Sequence, residues 1–246
     1  MHSTQPNQAT LNSPYPRITA CTLTGADDHT DPKQLGELSQ EFPFVEWGIL
    51  YSKSQQGEGR YPSYHWISRL AKNLGNPWGP KYALHVCGSA VKDLLAGEEL
   101  VNEYCALFNR IQINFIASKH DLGALREVFD RFPNQTIITQ HNAANYALWP
   151  QLGDKPNHAI LFDGSGGRGK SPAAWPDYID GMACGYAGGL GPDNLESECL
   201  RIAKAAHGHA TWLDMEGKLR DDADRFDLVK AKACLQIVAA IKEQEK

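Results

Sequence analysis

From residue 17 onward the chain alternates between two hydrophobic patterns. Short, almost unbroken apolar runs occupy residues 18–24, 45–51, 82–86, 111–117, 136–140, 158–162, 182–186 and 210–214. Runs of that length, with few polar interruptions, read as strands covered on both faces. Between them, apolar positions recur at three- and four-residue spacing over 32–41, 64–74, 89–95 with 101–108, 123–132, 145–152, 192–206 and 226–242, with a weaker example near 175–179. The clearest helix is 192–206: Leu195, Cys199, Ile202 and Ala206 fall on one face, and Pro192 suits a first turn. In the last helix the same role falls to Leu228, Ala231, Leu235, Val238 and Ile241.

Eight strands alternating with helices in 246 residues predict an α/β chain folded as a single (β/α)8 TIM barrel, a fold typically built from ~250 residues. An open doubly wound sheet would place a glycine-rich fingerprint after its first strand. The first strand here ends Ala20-Cys21-Thr22-Leu23-Thr24-Gly25 instead. No composition shift marks a boundary, so the barrel is expected to span 17–246. Residues 1–16 are polar and carry Pro6, Pro14 and Pro16. They lack the charged start and apolar centre of a secretion signal and read as a flexible tail.

Bulk properties narrow the partners. The chain is 42% hydrophobic and 22% charged, with a formal net charge of −5. That balance leaves no basic footprint for nucleic acid. The apolar runs are too short to cross a bilayer. Six cysteines without CxxC spacing point to reduced thiols and a cytoplasmic chain rather than a disulfide framework or a zinc site. Oligomeric state has no signature in the pattern.

In a parallel barrel, chemistry collects where strands end. The predicted ends carry Cys21, Ser52 with the loop to Arg60, His85 and Cys87, Asn114, Gln140 and His141, Asp163, Gly188-Gly189, and Asp214 with Glu216. This mixed donor and acceptor set suits a small polar substrate. The segment Gly188-Gly189-Leu190-Gly191-Pro192 offers backbone N–H groups ahead of a helix, an arrangement that attracts anions. Arg60 offers a fork for a carboxylate. Two other patterns lead elsewhere. Gly164-Ser165-Gly166-Gly167-Arg168-Gly169-Lys170-Ser171 matches a nucleotide phosphate loop, but Pro172 and Trp175-Pro176 follow where a helix is needed. His207-Gly208-His209 precedes the eighth strand, at the barrel end opposite the strand tips.

The chain resembles the phosphoribosylanthranilate isomerases. The likeness rests on Ala20-Cys21-Thr22-Leu23-Thr24, Gly59-Arg60-Tyr61-Pro62-Ser63, Leu161-Phe162-Asp163 with Gly166-Gly167-Arg168-Gly169-Lys170-Ser171, Ala187-Gly188-Gly189-Leu190-Gly191-Pro192-Asp193-Asn194, and Trp212-Leu213-Asp214. It implies an Amadori-type aldose-to-ketose rearrangement by acid–base catalysis in tryptophan biosynthesis, without cofactor or metal. It makes Asp163 the general acid and Cys21 the general base. It gives Arg60 the substrate carboxylate, Gly188 and Gly189 part of a phosphate, and Asn114 the place of a family histidine. At the eighth strand Asp214 and Gly217 fit the family, but Met215-Glu216 replaces an expected serine pair. A carboxylate ~4 Å from a phosphate charge costs about 4 kcal/mol at an effective dielectric near 20. Two alternatives therefore stand beside a phosphosugar substrate. One is a diverged isomerase or lyase acting on another sugar or amine, and the other is a non-catalytic metabolite-binding barrel.

Overall fold

A computed structural model of the chain describes residues 13–70, 79–164 and 169–244. Eight parallel strands close into a barrel in sequence order, each hydrogen-bonded to the next and the last to the first. They are β1 (Arg17–Thr24), β2 (Val45–Tyr51), β3 (Lys81–Cys87), β4 (Arg110–Asn114), β5 (Thr136–His141), β6 (His158–Asp163), β7 (Ala183–Ala187) and β8 (Ala210–Met215). The expected (β/α)8 barrel is the fold of this chain. Most of the tail expected at 1–16 lies outside the described residues, as does the end of the helix expected at 64–74.

Among the described residues, seven α-helices surround the barrel: α1 (Pro32–Glu41), α2 (Tyr64–Leu70), α3 (Ser89–Ala96), α4 (Glu99–Ala106), α5 (Leu122–Arg131), α6 (Leu195–Ala206) and α7 (Leu228–Glu243). Side-chain caps start several of them. Asp31 accepts from the Lys33 N–H, Asp121 from that of Ala124, and Asp227 from those of Val229 and Lys230. Two expected helices are absent. Residues 145–152 form turns with a short 3-10 stretch at Trp149–Gln151, and 175–179 are irregular. Pro192 stands in the turn before α6, which starts at Leu195.

Each strand divides its side chains between two environments. Outward-facing Ile18, Leu23, Trp47, Ile49, Leu84, Ile111, Ile113, Ile160 and Leu213 join the helices in the main core. Inward-facing Ile138, Ala159, Leu161 and Trp212 form a small separate cluster. Gly185 on β7 makes room for Trp212, because a Cβ there would lie 2.1 Å from the indole.

A polar layer occupies another part of the interior. Thr22 on β1 donates to Glu46 on β2 at 2.9 Å, and Arg110 on β4 donates to the same carboxylate oxygen at 2.8 Å. The Arg110 guanidinium lies 4.4 Å over the Trp212 ring. Four strands are thereby joined across the axis by one buried charge pair and one indole.

β1 holds the irregularity with most consequence for function. Ile18 pairs with Thr211 and Ala20 with Trp212, so β1 advances two residues while β8 advances one. Thr19 is the extra residue of a β-bulge. Beyond it the facing is reversed: Ala20, Thr22 and Thr24 point inward, while Cys21 and Leu23 point outward.

Removing one half of the interior charge pair tests its role. Glu46→Leu leaves Arg110 buried without its partner and is expected to cost about 3–5 kcal/mol in urea unfolding. Replacing both groups, Glu46→Leu with Arg110→Met, is expected to cost less than the single change. A double variant no better than the single one would show that the two charges act separately.

Candidate active site

The C-terminal ends of the strands surround an open cavity of about 930 Å³. Its floor is made by Leu50, His85, Gln112, Leu161 and Asp214, and Cys87, Asn114, Gln140, Asp163 and Ala187 stand above them on the strand ends. Arg60, Tyr61, Gly188, Gly189, Glu216, Gly217 and Lys218 line the mouth. Of the eight residues to which the resemblance gives a role, seven therefore meet in one space: Asp163, Arg60, Asn114, Gly188, Gly189, Asp214 and Gly217.

Cys21 does not join them. The bulge at Thr19 turns its thiol out of the barrel, where it is fully buried in the layer between strands and helices. Burial, with Cys234 and Cys199 close by, pushes its pKa well above the ordinary thiol range. It has neither access to the cavity nor the thiolate form that a base needs. The expected Cys21 base is corrected on both counts. The thiol that reaches the cavity belongs to Cys87, whose pKa burial pushes up to about 12, so it too stays protonated.

Among the described residues, two strand carboxyl groups line the cavity. Asp163 at the end of β6 and Asp214 on β8 are both in register with Ala187 of β7. Their backbones lie two strand spacings apart, ~10 Å. Asp163 accepts from Gln140 Nε2 at 3.2 Å, and Asp214 accepts from Thr24 Oγ1 at 3.0 Å. Burial raises the Asp214 pKa well above the usual carboxylate range; the Thr24 hydrogen bond opposes the shift, while Glu216 and Glu46 add to it.

His85 Nε2 stands 3.8 Å from Asp214 Oδ2, just beyond a hydrogen bond. Burial and Arg110 hold this imidazole neutral by pushing its pKa down to about 3. Gly48 makes the arrangement possible: a Cβ there would come 2.1 Å from Thr24 Oγ1 and 3.1 Å from His85 Nε2.

The rim is more heavily paired than the sequence implied. Arg60 Nη1 donates to Glu216 Oε1 at 2.6 Å, and Nη2 to Asp224 Oδ1 at 3.0 Å. Its fork is therefore already engaged, and the Glu216 charge is balanced. Arg220 turns away from the cavity to Asp27, at 2.9 Å. The aliphatic stem of Lys218 packs against Gly191, and the residue lines the mouth. Asn194 braces that segment by accepting from the Gly191 N–H at 3.0 Å and donating to the Gly189 carbonyl at 2.9 Å.

Other sequence signals find plain structural roles. His207 and His209 pair with Asp177 and Asp180. Among the described residues, no group of three His, Cys, Asp or Glu side chains is placed to hold a metal ion, and no helix is long and apolar enough to cross a membrane. Residues 165–168 of the phosphate-loop-like run lie outside the described residues.

No family model and no curated protein matches the chain. Solved structures do. TrpF from Jonesia denitrificans superposes with a TM-score of 0.62 at 17% identity, covering 91% of this chain and 98% of that one. The phosphoribosyl anthranilate isomerase from Thermus thermophilus gives 0.59 at 17% identity, covering 90% and 99%. A phosphoribosyl anthranilate isomerase in complex with reduced 1-(o-carboxyphenylamino)-1-deoxyribulose 5-phosphate gives 0.57 at 15%, again covering 90% and 99%. At these identities the shared property is the fold.

The neutral His85 makes stability depend on pH. Its folded pKa of about 3 lies below the ~6.5 of an unfolded histidine. Its contribution is therefore complete above pH ~6.5 and is lost as pH falls toward 3. Between pH 7 and 5 this amounts to about 2 kcal/mol. His85→Gln is expected to shrink the difference in unfolding free energy between those two pH values by about that amount, measured by urea titration. An unchanged difference would mean that His85 protonates in the folded protein as readily as in the unfolded one.

Proposed function

We propose that this barrel is an aldose–ketose isomerase that carries out an Amadori-type rearrangement on an amino sugar, with Asp163 and Asp214 as its proton-transfer pair. The observation that carries the reading is that two inward carboxyl groups flank β7 and open onto one polar cavity. The shared fold with enzymes of that name adds to it. A pair of carboxyl groups suits acid–base work when one donates a proton and the other takes one.

Asp214, whose pKa burial raises well above the usual carboxylate range, donates to the ring oxygen of the sugar. The C1–O bond breaks and an imine forms. Asp163 removes the proton from C2, and the resulting enolamine tautomerises to the ketone. The resemblance gave the donor role to Asp163; the two carboxyl groups are alike in exposure, at 4% and 6%, and the raised pKa of Asp214 supports exchanging the roles. Lys218 with the Gly188 and Gly189 backbone is the place for a phosphate, with the Glu216 charge held off by Arg60.

The engaged fork of Arg60 favours a second reading within the same chemistry. An anthranilate carboxylate would have to displace Glu216 or Asp224. An amine without a carboxylate needs no such exchange.

Turnover of phosphoribosylanthranilate, followed by loss of its fluorescence, tests the first reading. Asp163→Asn and Asp214→Asn are each expected to lower kcat by about 10²–10⁴-fold. Cys21→Ala should leave kcat close to that of the wild type and lower only stability. A wild-type protein inactive under conditions where a known isomerase works removes this substrate. Loss of activity in Cys21→Ala with stability intact would restore the thiol to the mechanism.

A further inference from the structure

We propose that the floor of the cavity is a binding subsite for the uncharged, hydroxyl-bearing end of a sugar or polyol, held by His85 and Gln112, and that any anionic group of the ligand stays at the mouth. This deepens the amino-sugar reading and depends on it only for the class of ligand.

His85 on β3 and Gln112 on β4 are in register and point into the same space. They are 2% and 3% exposed. His85 Nε2 and Gln112 Oε1 are nonetheless without a hydrogen-bond partner among the described residues. Buried polar atoms are almost always paired, so two adjacent exceptions at the base of a cavity mark a place where a ligand supplies the partner.

The orientation of Gln112 follows from a relay. The Cys87 thiol donates to the His85 carbonyl at 3.4 Å, which leaves its sulfur to accept from Asn114 Nδ2 at 3.2 Å. Asn114 Oδ1 then accepts from Gln112 Nε2 at 2.9 Å. Each amide is thereby fixed, and Gln112 presents its oxygen to the cavity. That oxygen needs a donor. The 3.8 Å gap between His85 Nε2 and Asp214 Oδ2 allows a single hydroxyl to lie within ~2.8 Å of both. A sugar hydroxyl both donates and accepts, as these atoms require.

An anion does not fit the same place. Arg110, the nearby cation, is already bonded to Glu46 and covered by Trp212. His85 is neutral there, and Asp214 stands beside it. At the mouth, Lys218 and the glycine segment offer the opposite environment. The cavity therefore imposes a direction on its ligand, with hydroxyls down and charge up.

Protein labelled with ¹⁵N-histidine, titrated with ribitol 5-phosphate, with ribitol and with inorganic phosphate, tests the subsite. Comparison with the His85→Gln spectrum identifies the His85 ring signals. Both polyols are expected to shift them, and inorganic phosphate is expected to leave them in place. Gln112→Met should weaken ribitol 5-phosphate binding at least tenfold while leaving phosphate binding unchanged. Phosphate that moves the His85 signals as the polyols do, or polyols that fail to move them, would overturn the proposal even if Gln112→Met does not fold. The isomerase reading fails separately, by absence of turnover in a protein whose His85 still reports polyol binding.

Discussion

The closed barrel depends on how its interior is filled. Eight strands enclose more space than the small cluster of Ile138, Ala159, Leu161 and Trp212 occupies, and this chain fills the lower part with the Glu46–Arg110 pair. Removing both charges from water is unfavourable on its own. Thr22 offsets part of that cost through the carboxylate, and the Trp212 ring does so through the guanidinium. The pair closes the barrel beneath His85 and Asp214 and determines where the cavity ends. It also occupies the one positive charge near the floor among the described residues, leaving the space above to neutral groups.

The bulge at Thr19 is the second constraint. Strand side chains alternate with a period of two, so one inserted residue exchanges the inner and outer faces for the rest of the strand. Cys21 moves from the cavity to the outer core, and Thr22 and Thr24 take the inner positions. Thr24 then holds Asp214, so β1 still contributes to the site, but by positioning a carboxyl group rather than by supplying a thiol. The same fold is left with a different inner set of side chains.

Much of this was legible along the chain. β2 and α1 begin and end where the apolar pattern places them, and the other strands deviate by a few residues at most. The expected helices at 145–152 and 175–179 fail for a local reason. Each run has a few apolar residues near helical spacing, but the first meets Pro150 within its last turn and the second carries Pro176 next to Trp175. In the first, Asn145 turns its side chain to the Ala117 N–H and the Phe115 carbonyl, serving a neighbouring loop instead of a helix.

Sequence alone determined that eight buried strands would alternate with helices and that Asp163, Asp214, Arg60 and the Gly188-Gly189 turn would lie at their ends. Those properties follow from local periodicity, which each segment carries within itself. Only the tertiary structure decided that Cys21 faces outward, that Arg60 is engaged by Glu216 and Asp224, and that Gln112 and His85 share one floor. Facing depends on a register shift between β1 and β8, residues almost two hundred positions apart. Pairing depends on which loops meet across the mouth. Neither relation is written in any single stretch of chain, because both are set by closure of the ring.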